Sequence, residues 1–318
     1  LSAFFLRRFL FALPLLLGAL TLLFLLMQMV PGRPFPAETG ALDPAAAERL
    51  RALYGVDRPA AERYFLWLGG VARGDLGFSF SERQPVAQVA GRAAARTCVL
   101  AGLAIFLQFA GGTVAGVLAA AGGRGIDRLV TGTAALLYAV PSYWLGLVLV
   151  GLFSVRLGWL PVSQMATAGG SGAPFLIDAL RHLVLPCLAL ALPAAAGIAL
   201  FVRDQVRAAL EGGLTRAARS RGLGRAQVAL RHGAWRGLFA ASTLFGLALP
   251  GLVGGSVVIE TLFAWPGMGR LAYQATLARD APLVLGCGAF SAALVIAGSL
   301  AADLLAAAID PRVRESLR

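Results

Sequence analysis

The chain is expected to fold as an all-α polytopic membrane protein with six transmembrane helices and both termini cytoplasmic. Composition carries the first half of that expectation. Of 318 residues, 58% are hydrophobic and only 14% are charged, with a mean hydropathy of +0.76. Water-soluble domains carry roughly 25% charged residues. Patterning carries the second half. Six long apolar runs are separated by polar segments, and a bilayer crossing takes about 20 helical residues. The 28 basic residues against 16 acidic give a net charge of +12, and every basic residue is arginine. Their excess lies between alternate runs, which places those segments on the cytoplasmic side.

Phe9 to Val30 is the first run, preceded by Arg7 and Arg8. It is too long for a signal peptide and reads as a retained span. Residues 31–95 follow as an extracytoplasmic insertion with eight arginines and seven acids. Two short helices are expected inside it, at 44–54 behind Asp43 as cap and at 59–71 with Tyr64, Phe65, Trp67 and Leu68 on an apolar face. Arg96 to Ala121 forms the second span, and Gly102, Gly111, Gly112 and Gly116 make one side of it narrow. Gly122 to Arg128 is a tight inner loop. The third span, Leu129 to Val155, contains Pro141, which removes a backbone hydrogen bond and should bend the helix.

Arg156 to Gln164 forms an outer turn in which Trp159 suits the interfacial aromatic belt. The fourth span ends near Val202, and Pro186 and Pro193 should distort it. His182 sits at its outer boundary, where a structural hydrogen bond is expected. Leu238 to Ile259 is the fifth span. In Glu260 to Leu271, Pro266, Gly267 and Gly269 should interrupt any helix and leave a bent or re-entrant element. Leu283 to Ile309 is the sixth span. The organisation is therefore 1–30, N-terminus and first span; 31–95, the insertion; and 96–318, a core of five spans.

The polar stretch from Arg203 to Arg236 interrupts this apolar pattern. Eight arginines and a histidine face only Asp204 and Glu211. Leu214 to Arg221 and Arg225 to His232 can each be helical, with Gly222 and Gly224 as the bend between them. One reading is a basic loop that only sets topology. The other is a compact helical knuckle that a partner grips.

Chemistry of its own is poorly supplied. There is no GxxxxGK[ST] phosphate loop, no HExxH, no CxxC and no G-x-S-x-G elbow. Two histidines and three cysteines (Cys98, Cys187 and Cys287) show no metal-like spacing. No catalytic, cofactor or metal residues are assigned, and the chain is not expected to be an enzyme. The basic balance is explained by headgroups and topology, so membrane lipid is a partner and nucleic acid is not. Transport remains, either as a stand-alone channel or as the pore subunit of a driven machine.

The stretch Leu214 to Leu238, LTRAARSRGLGRAQVALRHGAWRGL, resembles the cytoplasmic loop of binding-protein-dependent ABC importer permeases. Ala217, Ala218 and Gly222 match that loop's alanine-rich turn and glycine. Family-like stretches also occur at Arg73 to Phe80 (RGDLGFSF), Pro141 to Gly146 (PSYWLG), Glu260 to Leu271 (ETLFAWPGMGRL) and Asp310 to Arg314 (DPRVR). The closer resemblance is to the B-type transmembrane subunit of the dipeptide and oligopeptide permease family. That branch carries a tyrosine or similar residue before the threonine and alanines, where Leu214 stands here.

The resemblance implies a type I ABC importer permease fold with 203–236 as its coupling loop. Thr215, Arg216, Ala217, Ala218, Arg219, Arg221, Gly222 and Leu223 would dock on the ATPase. Pro141, Ser142, Tyr143, Trp144, Glu260, Trp265, Pro266 and Gly267 are candidates for the pathway or its gate, although packing explains each ring equally well. The implied partners are a homologous second permease subunit, two ATP-binding subunits and an extracytoplasmic solute-binding protein. ATP and Mg would be bound by the ATPases and no cofactor by this chain. The cargo implied is di- or oligopeptides moved across the bacterial inner membrane. Relatives of the same machinery import nickel chelates, glutathione or oligosaccharides.

Overall fold

A computed structural model describes residues 2–29, 58–167, 172–212, 222, 224–228 and 233–309. Ten helices and one two-stranded hairpin are described there. In chain order they are α1 Ser2–Met29, α2 Ala60–Ala72, β1 Phe78–Ser79, β2 Gln84–Pro85, α3 Val86–Ala121, α4 Arg124–Ala139, α5 Ser142–Leu149, α6 Gly172–Glu211, α7 Arg225–Val228, α8 Ala234–Leu262, α9 Met268–Leu277 and α10 Ala281–Ile309. A π-helical segment, Val150–Arg156, continues α5. All six apolar runs are helical. Arg8–Met29, Val86–Ala121, Gly172–Glu211 and Ala281–Leu304 are long and apolar enough to cross a membrane. The bent pair Arg124–Ala139 and Ser142–Arg156 adds a further candidate, and α8 is 29 residues long.

Several boundaries differ from expectation. The second span begins at Val86, not Arg96, because VAQVAGRAAA is rich in strong helix formers and simply extends the apolar helix N-terminally. The third span is not one rod: its two halves meet at 106°. Val140 takes an extended conformation (ψ 127°) before Pro141, the region favoured for a residue preceding a proline. Pro186 and Pro193, by contrast, lie inside the 40-residue α6 without ending it. Gly269 does not interrupt a helix; it is buried within α9. The helix expected at 59–71 is present as α2, whereas that at 44–54 lies outside the described residues.

The described residues form two compact units. The smaller is built on Leu6–Thr97 and Pro266–Ala297. In it α1 meets α2 through Phe24, which stacks on Trp67 (5.7 Å between centroids) and meets Tyr64 edge-on (5.3 Å). The Tyr64 hydroxyl lies 2.6 Å from Thr21 Oγ1. Val86, Val89 and Ala90 of α3 pack with Met268 and Leu271 of α9 and with Leu283 and Cys287 of α10. Met268 N–H donates to Thr97 Oγ1 at 2.8 Å.

The β1–β2 turn is held by one carboxylate. Buried Asp280 accepts through Oδ2 from Ser79 Oγ (2.7 Å), Phe80 N (2.9 Å), Ser81 N (2.9 Å) and Ser81 Oγ (2.8 Å). Its Oδ1 accepts from Leu283 N at 3.1 Å, capping the start of α10. The RGDLGFSF and RDAP stretches, some 200 residues apart, are thus one structural feature.

The larger unit, built on Cys98–Trp265, centres on α6. A cluster of Leu100, Leu145, Leu149, Leu185, Ile259, Phe263 and Trp265 joins α3, α5, α6 and the end of α8. Of the four glycines proposed to narrow α3, Gly112 and Gly116 do so. A Cβ on them would come within 2.7 Å of the Ala195 carbonyl and 2.6 Å of the Ala199 carbonyl on α6. This is the small-xxx-small spacing that lets two membrane helices touch backbone to backbone. Gly102 and Gly111 face open space. His182 Nδ1 is 2.9 Å from the Asp178 carbonyl, the structural bond expected of it. Cys187 and Cys287 are buried and Cys98 is exposed.

Candidate coupling and gating sites

The basic segment begins inside a helix. Arg203 to Glu211, expected at the start of the 203–236 loop, instead form the last turns of α6. The reason is their patterning: Val202, Val206 and Leu210 recur at helical spacing and make one buried stripe through the charged sequence. They pack with Val117 and Ala120 of α3, with Ala241 of α8 and with Val228 of α7. Gly233 and Gly237, at the start of α8, allow this approach, since a Cβ on either would lie 2.9 Å from Val206 or Val202.

Val228 is fully buried in the middle of an arginine-rich stretch. It was not singled out from sequence, although an isolated valine among arginines was the available signal. It ties α7 to the end of α6. Gly222 has φ +84°, the left-handed conformation expected for the bend. It is exposed, and a Cβ built there meets nothing within 4 Å. Thr215, Arg216, Ala217, Ala218, Arg219, Arg221 and Leu223 lie outside the described residues, as does the helix expected at 214–221. Of the second expected helix, Arg225–Val228 is described.

On another side of α6, two arginines converge on Asp127 in the first turn of α4. Arg203 Nε lies 2.6 Å from Oδ1 and Nη2 lies 3.1 Å from Oδ2, a bidentate pair. Arg207 Nη2 is 2.7 Å from Oδ2. Arg203 Nη1 also reaches Asp204 at 2.7 Å.

The gate candidates fall at two places that the fold partly joins. Pro141 stands at the 106° break and Ser142 opens α5. Leu145, Gly146 and Leu149 of α5 are buried, and Gly146 lies so near Leu262 that a Cβ would come within 2.9 Å of it. Tyr143 and Trp144 do not enter this core: they are 50% and 51% exposed. At the end of α8, Glu260 is wholly buried and Trp265 is 1% exposed. Trp265 N–H donates to the Glu260 carbonyl at 2.8 Å, and Gln164 N–H donates to the Phe263 carbonyl at 2.8 Å. Pro266 is half-buried, and buried Gly267 is extended before α9. Trp265 is therefore a packing residue of the α5–α6–α8 core, while Tyr143 and Trp144 are the rings presented outward.

A cavity of about 400 Å³ opens between α3, α4 and α6. Its walls include Leu107, Gly112, Leu137, Leu192 and Ala195, and Thr133 is the one polar residue among them. Such a surface offers almost no partner for a peptide backbone.

Comparison with known proteins decides what kind of machine this architecture serves. Residues 112–315 match the family described as binding-protein-dependent transport system inner membrane component. The chain belongs to that family. The permease is also similar over its length to two curated transporters. Oligopeptide transport system permease protein AppB of Bacillus subtilis (strain 168) is 34% identical, covering 98% of this chain and 99% of the relative. Di/tripeptide transport system permease protein DppB of Pseudomonas aeruginosa (strain UCBPP-PA14) is 33% identical, covering 98% of each. The fold is accordingly that of the type I ABC importer permeases, and the permease is a multi-pass membrane protein. It is the transmembrane permease subunit of an ABC importer, a family that works with a solute-binding protein and an ATPase.

Proposed function

We propose that the permease carries di- or oligopeptides inward across the bacterial inner membrane, driven by ATP that its partners hydrolyse. Full-length similarity to proteins named as oligopeptide and di/tripeptide permeases carries this reading. The chain pairs with a homologous second permease, and two ATPase subunits below bind ATP and Mg. A binding protein delivers cargo from outside. It spans the membrane six times with both termini inside, residues 31–85 outside and the 213–232 segment in the cytoplasm. That segment docks on an ATPase through Gly222 and its neighbours, and closure of the ATPase pair moves the spans as rigid bodies. Tyr143 and Trp144, the exposed rings of α5, line or gate the pathway. The apolar character of the spans leaves cargo selection to the binding protein.

Three measurements test this. Reporter fusions after Arg128, Gly233 and Arg314 should read cytoplasmic, and fusions near Asp57, Gly170 and Arg270 external. A cytoplasmic reading at Asp57 would discard the topology. In proteoliposomes, labelled peptide should enter only when permeases, ATPases, ATP and loaded binding protein are all present. The purified chain alone should hydrolyse no ATP, lacking a phosphate loop. Peptide entry through this chain without the ATPases would instead make it a channel.

A further inference from the structure

Arg203 and Arg207 stand one helical turn apart on α6 and reach the same carboxylate on α4. The side chains of Asp127 and Arg203 are only 15% and 18% exposed. Asp127 also lies in the first turn of α4, where the helix dipole favours a negative charge. The carboxylate therefore belongs to α4 electrostatically and is clamped to α6 by two guanidiniums. A bidentate fork fixes rotation as well as distance, which a greasy contact does not.

The same turns of α6 carry the Val202–Val206–Leu210 stripe, whose cluster holds Val228 of α7. The end of α6 is thus gripped twice, by an apolar contact to the segment after Gly222 and by an ionic contact to α4. Beyond Asp127, α4 runs to Val140, where the chain turns 106° into α5 with its outward rings Tyr143 and Trp144.

We propose that the Asp127–Arg203–Arg207 cluster is the joint that passes the coupling stroke from the end of α6 to α4 and so to the Pro141 bend. This rests on the reading of the Gly222 segment as the ATPase-docking element. Displacement of that segment moves α7 and the end of α6 together through Val228. The ion pairs then oblige α4 to follow instead of letting α6 slide past it. Asp127 touches no cargo and acts through α4, so it is a positioning residue. Removing one member of a partly buried pair leaves the other charges facing each other uncompensated.

The complete importer is reconstituted with binding protein and labelled peptide, and uptake per ATP hydrolysed is measured. Asp127→Asn should leave assembly and unstimulated hydrolysis within about twofold of wild type and lower uptake per ATP about tenfold or more. Asp127→Glu, which keeps the carboxylate between the two guanidiniums, should retain at least a third of it. Wild-type coupling in Asp127→Asn overturns the joint, and so does an Asp127→Glu variant as uncoupled as Asp127→Asn. If Asp127→Asn does not assemble, Arg203→Lys decides, because it keeps a positive charge facing Asp127 but removes the bidentate fork: lowered coupling supports the joint and unchanged coupling overturns it. Gly222→Asp is run in parallel. Uncoupling there with normal coupling in Asp127→Asn overturns the joint alone, whereas normal coupling in Gly222→Asp overturns the docking reading beneath it.

Discussion

Gly222→Asp is expected to leave the chain folded in the membrane while lowering binding-protein-driven uptake about tenfold or more. The expectation follows from where the side chain would go. Gly222 has φ +84°, and nothing lies within 4 Å of a Cβ built on it. An L-residue held left-handed costs about 1–2 kcal/mol, and aspartate tolerates that region better than most. The permease itself therefore has room for the substitution. What lacks room is a partner surface that approaches the bare backbone, and a new carboxylate adds charge where the arginines of 216–221 would meet an acidic groove. Gly222→Ala should be milder, within a few-fold of wild type, because it brings the strain without the charge or the bulk. Assembly with the ATPases, stimulated hydrolysis and uptake are measured on the same preparations. Wild-type values for all three in the aspartate variant would reduce the segment to a basic loop that sets topology.

Asp280→Ala is expected to be the most damaging single substitution around the β1–β2 turn. Five hydrogen bonds end on this one buried carboxylate. Ser79 is itself fully buried, so its hydroxyl has no water to turn to. Each buried donor left without an acceptor costs about 1–3 kcal/mol, and bonds to a charged acceptor are at the stronger end. The losses are not additive, and a total of about 3 kcal/mol or more is expected. Asp280→Asn should cost less, about 1–2 kcal/mol, since an amide oxygen can still face the four donors of the 79–81 turn. The readout is local. Arg83 is exposed at φ +53° between the two short strands, so trypsin should cut after it much faster once the turn is released. Equal cleavage rates in wild type and Asp280→Ala would show that β1–β2 is held by something other than Asp280.

The linear sequence determined the class of this protein and most of its helices. Hydropathy accumulates along a span regardless of its neighbours, so the membrane runs were legible without any tertiary partner. Backbone chemistry was equally local: Pro141 marked the break in the third run, and Gly222 marked a left-handed residue. The polar stretch was visible as a segment distinct from the spans, but its edge was misplaced. Arginine content suggested a loop from Arg203, whereas the buried stripe of Val202, Val206 and Leu210 keeps that stretch helical to Glu211. Whether a valine stripe is buried depends on which helices lie against it, and that is not written in the stripe.

Tertiary structure alone decided the pairings. Asp127 and Arg203 are 76 positions apart, and Ser79 and Asp280 are 201 apart. Gly112 and Gly116 could not be told from Gly102 and Gly111 by residue type, because only the approach of α6 makes two of them necessary. Tyr143, Trp144 and Trp265 likewise looked alike as aromatic candidates. Trp265 is locked into the α5–α6–α8 core, while the other two rings face outward. Composition and periodicity sum over neighbours in the chain, whereas a hydrogen bond or a backbone contact needs two groups within about 3 Å and the right orientation. Only the packing of one helix against another sets that distance.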